Sequence, residues 1–295
     1  MRLSVVIATK DRAALLERAL DSLEAQRDAP AFEVIVADNG SSDGTRALVE
    51  ARRAAGRMPL AYVWVPEPNR GAARNAGVAV ARGAILVFVD DDVVLPEGFL
   101  AAHAAAHAGI FPVAVSGPIL NVPSYGDRPK PALTNYSGAF FCTCNVSVRR
   151  SAFDAVGGFD AGFDLYGWED TELGLRLRRF DVRRRFAWDA YLWHIKLPDS
   201  ETFAVVENKT LERARMAARL LRKHGGWRTK LATGAYGFNL VRSALLAPAW
   251  ALPLYRRLAA NERAPGPLRA IAAAQVLDGG YTSTLRRALA AERRR

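Results

Sequence analysis

The chain has 295 residues, half of them apolar, and a formal net charge of +11. This apolar content excludes an intrinsically disordered protein and suffices for a full hydrophobic core, so we expect one large domain with an appendage. Cys142 and Cys144 are too close in sequence for a comfortable disulfide, and we expect buried thiols in a reducing compartment rather than a zinc or redox site.

Residues 3–8 form an apolar run that is too short for a signal-peptide core, so we expect a buried first strand. The first strand is predicted at residues 4–8, and similar apolar runs predict strands at residues 33–37, 60–65 and 84–89. The amphipathic stretches between them predict helices at residues 12–25, 45–55 and 72–82. This alternation indicates βαβ units and a mostly parallel sheet with helices on both faces. Such sheets bind ligands beyond the carboxyl ends of their strands, where Asp38 and Asp90 lie.

Beyond Pro96 the pattern is less regular. Helices are predicted at residues 99–108, 151–156 and 170–180, strands at 113–116 and 140–148, and a Pro/Gly-rich loop near the site at 121–131. Residues 201–295 are helical and basic, with 18 Lys/Arg, 6 Asp/Glu and a net charge of +12, against −1 for residues 1–200. We therefore predict a catalytic-type domain over residues 1–200 and a helical basic region over residues 201–295, whose charge indicates an anionic partner.

Two features of the first half suit a nucleotide. Asp38 opens a Gly/Ser turn, where its carboxylate either accepts a hydrogen bond from a uracil or a ribose or only caps the turn. Residues 69–77 form a glycine-punctuated loop entering a helix, and backbone N–H groups and Arg74 there can face phosphate or base. The loop matches neither the Walker A motif nor the dinucleotide-binding fingerprint.

Three adjacent carboxylates, Asp90, Asp91 and Asp92, follow an apolar strand. They repel one another unless a cation or solvent relieves them, so the cluster is either a site for Mg²⁺ or Mn²⁺ bound to diphosphate or a solvated acidic turn. Alternation along an extended chain would point Asp90 and Asp92 one way and Asp91 the other. His194 stands among apolar neighbours, as core histidines do, but the acidic cluster upstream makes a metal ligand the better interpretation.

The segment Tyr166-Gly167-Trp168-Glu169-Asp170 introduces a helix. Its two acids are either helix-capping residues or ligands of sugar hydroxyls, and the two aromatic side chains could stack on a sugar ring.

The motifs at residues 4–12, 38–45, 69–77 and 90–92 occur in an order that resembles family 2 glycosyltransferases of the GT-A fold, over roughly residues 1–200. Residues 145–177, with their Gly-Trp-Glu-Asp motif, also resemble the C-terminal half of the galactosyltransferase-type catalytic domain. The chain departs from the family pattern at Ala8, where proline is common, and at Asn39, where a second aspartate is common.

The resemblance implies a role for each candidate residue. It implies that Asp38, Arg74 and Thr9 line the nucleotide-base pocket, and that Asp90, with Asp91, lies near ribose or metal-bound water. Asp92 and His194 would bind Mn²⁺ or Mg²⁺. Asp170 would be the catalytic base and Glu169 a ligand of the acceptor hydroxyl, and either of these adjacent acids could be the base.

The implied reaction is inverting transfer of a hexose or N-acetylhexosamine from a nucleotide sugar, with UDP expected, to a glycan or lipid-linked acceptor in surface polysaccharide synthesis. The alternatives are a sugar-phosphate nucleotidyltransferase and a non-catalytic sugar-binding protein of the same fold. We expect a cytoplasmic protein, with residues 201–295 either docking on an anionic membrane or packing on protein. No nucleic-acid partner is expected.

Overall fold

The computed structural model describes residues 2–67, 69–197 and 202–292. The chain forms two compact units. The first contains the described residues of Met1–Asp164 and Glu169–Ser200, and the second those of Leu165–Trp168 and Glu201–Arg295. Leu165–Trp168 thus groups with the second unit, although we had predicted it to belong to the domain of residues 1–200. The predicted boundary itself, between residues 200 and 201, lies outside the described residues.

The first unit is an α/β fold built on two sheets. Its strands are β1 (Leu3–Thr9), β2 (Phe32–Asp38), β3 (Leu60–Trp64), β4 (Ile85–Asp90), β5 (Val93–Val94), β6 (Val113–Ser116), β7 (Ile119–Val122), β8 (Asn145–Arg149), β9 (Arg183–Phe186) and β10 (Leu192–Ile195). The larger sheet has the order β3-β2-β1-β4-β8-β6-β9, and the smaller has the order β5-β10-β7. In the larger sheet only the pairings of β8 with β4 and with β6 are antiparallel. The sheet is therefore mostly parallel, as predicted.

Helices cover both faces of the larger sheet. They are α1 (Ala13–Glu24), α2 (Thr45–Ala55), α3 (Arg70–Val80), α4 (Phe99–Ala106), α5 (Arg150–Ala155) and α6 (Glu169–Arg179). Side chains alternate along β4, so Val87 packs in one core cluster with α1 and α2 and Phe88 packs in the other with α3, α5 and α6. On the second face α3 packs closely against the sheet. This closeness is seen at Gly77, where an added Cβ would lie 3.0 Å from Val6 Cγ1 of β1.

The second unit is helical in its described part. It contains α7 (Phe203–Lys223), α8 (Trp227–Thr233), α9 (Gly237–Leu246), α10 (Leu252–Ala260) and α11 (Gly266–Glu292). Among the described residues, no helix is long and apolar enough to cross a membrane.

The structure corrects several predicted elements. The strand predicted at residues 140–148 begins only at Asn145, because Phe141 and its neighbours form a loop whose aromatic rings fill the core beside Phe88. The helix entered by the glycine-punctuated segment at residues 69–77 begins at Arg70, two residues earlier than predicted, since Asn69 accepts a hydrogen bond from the Ala72 N–H. Four short strands, β5, β7, β9 and β10, were not predicted.

Candidate active site

Three parallel strands bring the polar side chains at their carboxyl ends to one edge of the larger sheet. Thr9 of β1 pairs with Asp38 of β2, and Ala8 pairs with Asp90 of β4. Thr9, Asp38 and Asp90 therefore lie side by side where ligands of open α/β sheets bind.

The Asp38 carboxylate is buried and already holds the turn that follows it. It accepts hydrogen bonds from the Ser41 backbone N–H and the Tyr62 hydroxyl, each at 2.7 Å. Burial and the neighbouring carboxylate raise the pKa of Tyr62, so this phenol stays a donor. Asp38 thus performs the turn-capping role that we had kept as an alternative.

Asp91 and Asp92 point to different partners but share one cation. Asp91 accepts from the Thr9 hydroxyl at 2.8 Å and from Arg12 at 3.0 Å, and burial raises its pKa to about 6. Asp92 contacts Arg12 at 3.3 Å and Lys196 at 3.6 Å. Asp91 and Asp92 thus have mostly different partners, as the predicted alternation requires. Both nevertheless contact Arg12, so the alternation is only partly observed. Sequence reasoning missed Arg12 and Lys196 as components of the site.

His194 faces Asp92 without forming a hydrogen bond to it. Its Nε2 lies 3.1 Å from Asp92 Oδ1, yet this buried oxygen has no hydrogen-bond partner. The other ring nitrogen, Nδ1, lies 2.9 Å from the Asn121 side-chain oxygen, which can only accept. Nδ1 therefore carries the proton in the neutral ring, and Nε2 presents a lone pair to Asp92, as metal-binding histidines do.

Strand register explains this arrangement. In the smaller sheet His194 pairs with Asn121 of β7 and with Val93 of β5, the residue that follows Asp92. Burial disfavours the ionised Asp92 carboxylate, but the positive charges of protonated His194, Lys196 and Arg12 outweigh it and lower the pKa of Asp92 to about 2. When His194 is neutral, the Asp92 carboxylate and the imidazole lone pair are turned toward each other, an arrangement that fits a divalent cation.

Cys144 also lies beside His194, although we had expected it to be only a buried thiol. Ligand atoms of Asp90, Cys144 and His194 all lie within 4.8 Å of one another. Both cysteines are free, and burial raises the pKa of the Cys144 thiol well above its usual value. Spacing alone could not reveal Cys144, because its approach to Asp90 results from the antiparallel pairing of β8 with β4.

Arg74 links the acidic cluster to the acids of α6. Its buried guanidinium lies 3.3 Å from Asp90 and 3.4 Å from Glu169. Burial opposes the charged form, but these carboxylates outweigh it and raise the pKa of Arg74. In this structure Arg74 therefore pairs with carboxylates, whereas the resemblance implied a contact with the nucleotide base.

Glu169 and Asp170 begin α6 with different surroundings. Glu169 is buried, and its Oε2 has no hydrogen-bond partner while Oε1 faces Arg74. Asp170 Oδ1 accepts from the Thr171 N–H at 2.9 Å, and Oδ2 lies 3.4 Å from the Thr143 N–H. Burial and Glu169 raise the pKa of Asp170 to about 6, against the effect of Arg74. The Asp170 carboxylate is thus more basic than that of an ordinary aspartate.

The aromatic residues before these acids belong to the second unit. Trp168 is only 8% exposed, its indole N–H donates to the Arg213 carbonyl at 2.9 Å, and the Arg213 guanidinium lies over its ring. Its φ of 75° is a left-handed conformation that costs about 1–2 kcal/mol, so this packing must offset the strain. The predicted stacking of Trp168 on a sugar is therefore not available in this conformation. Tyr166 is 36% exposed, and Lys209 Nζ lies over its ring.

The sequence matches that of known families in the same region. The model of glycosyl transferase family 2 matches residues 4–158, and a model described as the N-terminal domain of galactosyltransferase matches residues 130–204. The second match overlaps the segment that we had compared with a galactosyltransferase-type domain, although we had placed it in the C-terminal half of that domain.

Two curated relatives and one solved structure extend these matches. A validoxylamine A glucosyltransferase from Streptomyces hygroscopicus subsp. limoneus is 32% identical over 241 residues, 68% of this chain and 52% of the relative. The succinoglycan biosynthesis protein ExoM from Rhizobium meliloti is 27% identical over 238 residues, 74% of this chain and 75% of the relative. This chain therefore spans about half the length of the first relative.

The solved structure is the mannosyltransferase PcManGT from Pyrobaculum calidifontis in complex with GDP-Man and Mn²⁺. It superposes with a TM-score of 0.58 at 19% identity, over 99% of this chain and 75% of that one. This likeness shows a shared GT-A fold. With the family match over more than half of the sequence, the conclusion is that this chain belongs to glycosyl transferase family 2.

Proposed function

We propose that this chain is a metal-dependent inverting glycosyltransferase, which moves a hexose or N-acetylhexosamine from a nucleoside-diphosphate sugar to a hydroxyl of a glycan or lipid-linked acceptor. The proposal is carried by the unbonded approach of His194 Nε2 to Asp92 Oδ1 at the strand edge that also bears Asp90. The names of the relatives, a glucosyltransferase and a protein of succinoglycan biosynthesis, support sugar transfer in polysaccharide synthesis.

The donor nucleotide would bind along the ends of β1, β2 and β4. Asp38, held by Tyr62, would accept from a base N–H, with UDP as the proposed carrier, and Thr9 would line the same pocket. Asp90 and Asp91 would lie at the ribose and its diphosphate. Arg74 can reach the nucleotide only by exchanging a carboxylate partner, so we propose that donor binding competes with its contact to Asp90.

Asp92 and His194 would hold Mn²⁺ or Mg²⁺, with Asp90 and Cys144 close by. Such an ion, when bound, neutralises charge that develops on the departing diphosphate. Arg12 and Lys196 place two cations beside Asp92, and in this proposal they would supply further positive charge to the same leaving group.

The acceptor hydroxyl would be deprotonated by Asp170. A carboxylate is a weak base for an alcohol, so proton transfer must be late, when the attacking oxygen has begun to bond to the anomeric carbon. The raised pKa of Asp170 reduces this mismatch. The anomeric C–O bond to the diphosphate breaks as the new bond forms on the opposite face, which inverts the configuration. Glu169 would hold the acceptor through its unpartnered Oε2, and Tyr166 is a proposed sugar contact.

The proposal is tested by a thermal-shift panel of UDP-, GDP-, dTDP- and CDP-sugars, each with and without Mn²⁺. We expect one nucleotide to stabilise the protein selectively and only with metal. The Asp92→Asn variant should lose this metal-dependent shift, whereas Glu262→Gln, a change in an exposed carboxylate of the second unit, should keep it. If no nucleotide sugar shifts the unfolding temperature in either condition, the proposal is wrong.

A further inference from the structure

Two short helices of the second unit, α8 and α9, expose apolar side chains and bury polar ones. On α8, Trp227 and Leu231 lie one turn apart and are 69% and 57% exposed, whereas Thr229 and Thr233, also one turn apart, are buried. The Thr229 hydroxyl donates to the His224 carbonyl and the Thr233 hydroxyl to the Thr229 carbonyl, so the polar groups are satisfied inside. A helix of a soluble protein ordinarily has the opposite pattern.

Helix α9 repeats the pattern more strongly. Phe238, Val241 and Leu245 follow helical spacing along one side and are 77%, 56% and 75% exposed. Ser243 lies on the opposite side, buried, with its hydroxyl 2.6 Å from that of Thr282 on α11. The inward side of α9 is therefore fixed by polar contacts, and its apolar side faces outward.

The exposed apolar side chains continue past this helix. Trp250 is 81% exposed and Leu254 of α10 is 62% exposed, while the neighbouring Leu252 is buried. We call the outward set the outer apolar face; it consists of Trp227, Phe238, Val241, Leu245, Trp250 and Leu254. Scattered exposed apolar residues are ordinary, but this concentration within 28 residues of chain, with two tryptophans, is typical of an interaction surface.

The positive charge of this part of the chain indicates which kind of partner binds this surface. Arg228 and Lys230 of α8 and Arg257 of α10, on helices that also carry residues of the outer apolar face, are exposed. The sequence of residues 201–295 carries a net charge of +12, whereas residues 1–200 carry −1. Apolar side chains beside basic ones match a bilayer interface, where acyl chains lie beneath anionic headgroups. Since no described helix can span a membrane, the binding would be interfacial.

We propose that helices α8–α10 dock this protein on an anionic membrane surface, with the outer apolar face entering the headgroup–acyl boundary. The exposed basic side chains then lie at the level of the lipid phosphates. This proposal does not depend on the glycosyltransferase activity, because membrane binding is measured without donor, metal or acceptor.

The test is flotation of the full chain with vesicles of phosphatidylcholine alone or mixed with phosphatidylglycerol, at low and high salt. We expect flotation with the anionic vesicles, weakened by salt. Leu245→Ser combined with Trp250→Ser should lower partitioning at least about tenfold, since each side chain removes apolar area from the bilayer. Ile110→Ser is the matched control, because Ile110 is 86% exposed but lies in the first unit, and it should float like the wild type.

Arg228→Ala combined with Lys230→Ala should reduce flotation at low salt and reduce its salt dependence. Two results would overturn the proposal. One is the absence of the wild-type protein from the vesicle fraction at low salt. The other is a pair of observations. Sedimentation would show that the chain self-associates through Leu245 and Trp250, and Leu245→Ser combined with Trp250→Ser would leave flotation unchanged.

Discussion

His194 Nε2 lies 3.1 Å from Asp92 Oδ1, and the two atoms do not hydrogen-bond. The reason is the Asn121 side chain, whose oxygen fixes the proton of His194 on the far ring nitrogen. Two lone pairs at this distance repel each other in isolation and are relieved by a shared cation. The proposed metal site at Asp92 and His194 rests on this pair.

Asn121 should therefore control metal affinity without touching the metal. We expect Asn121→Ala to weaken Mn²⁺ binding by about 10- to 100-fold, the usual effect of removing the partner of a metal-bound histidine. Asn121→Asp retains an acceptor and should restore most of the affinity. Isothermal titration with Mn²⁺ measures both, and equal affinities of the wild type and Asn121→Ala would contradict this role.

Replacement of Asp170 should separate catalysis from binding. We expect Asp170→Asn to lower turnover by about 10²–10⁴-fold, the usual range for loss of a general base, with donor affinity little changed. Asp164→Asn, an exposed carboxylate before the motif, serves as the control and should be nearly silent. Initial-rate kinetics and donor titration provide the two readouts. Near-normal turnover of Asp170→Asn would shift the base assignment to Glu169.

The pH profile should show the raised pKa of Asp170, about 6. Below that pH the carboxyl group is protonated and cannot accept the acceptor proton, so kcat should fall about tenfold per pH unit on the acidic side. Above it kcat should reach a plateau. Asp91, whose pKa is also raised to about 6, should instead affect donor binding, which is measured separately. A kcat that stays flat well below pH 6 would exclude Asp170 as the base.

Removal of the Arg74 cation should affect both stability and the same pH profile. Arg74→Met leaves Glu169 and Asp90 without their shared partner, and breaking a buried ion pair from one side costs about 3–5 kcal/mol. Urea unfolding measures this loss, with Arg74→Lys as the milder variant. Because Arg74 lowers the pKa of Asp170, the acidic limb of Arg74→Met should move to higher pH. Unchanged stability and an unmoved limb would together contradict the linking role.

Local patterns in the sequence predict much of the first unit. Apolar runs identify β1, β2, β3 and β4 to within one or two residues at each end, since a buried parallel strand is nearly all apolar. From this alternation it follows that Asp38 and Asp90 lie at strand ends on one edge of the sheet. The weaker elements were missed: β5 has two residues, and β9 is largely arginine.

The roles of individual side chains depended on pairings between distant parts of the chain. Register between β7 and β10 placed Asn121 behind His194, and packing of α7 covered Trp168, which the sequence suggested as a sugar platform. Residue type and spacing by themselves determined the α/β class, the acidic strand end and the family resemblance, because these are local properties of the chain. Only the tertiary structure decided which carboxylate meets which cation, because those contacts join residues 16 to 95 positions apart.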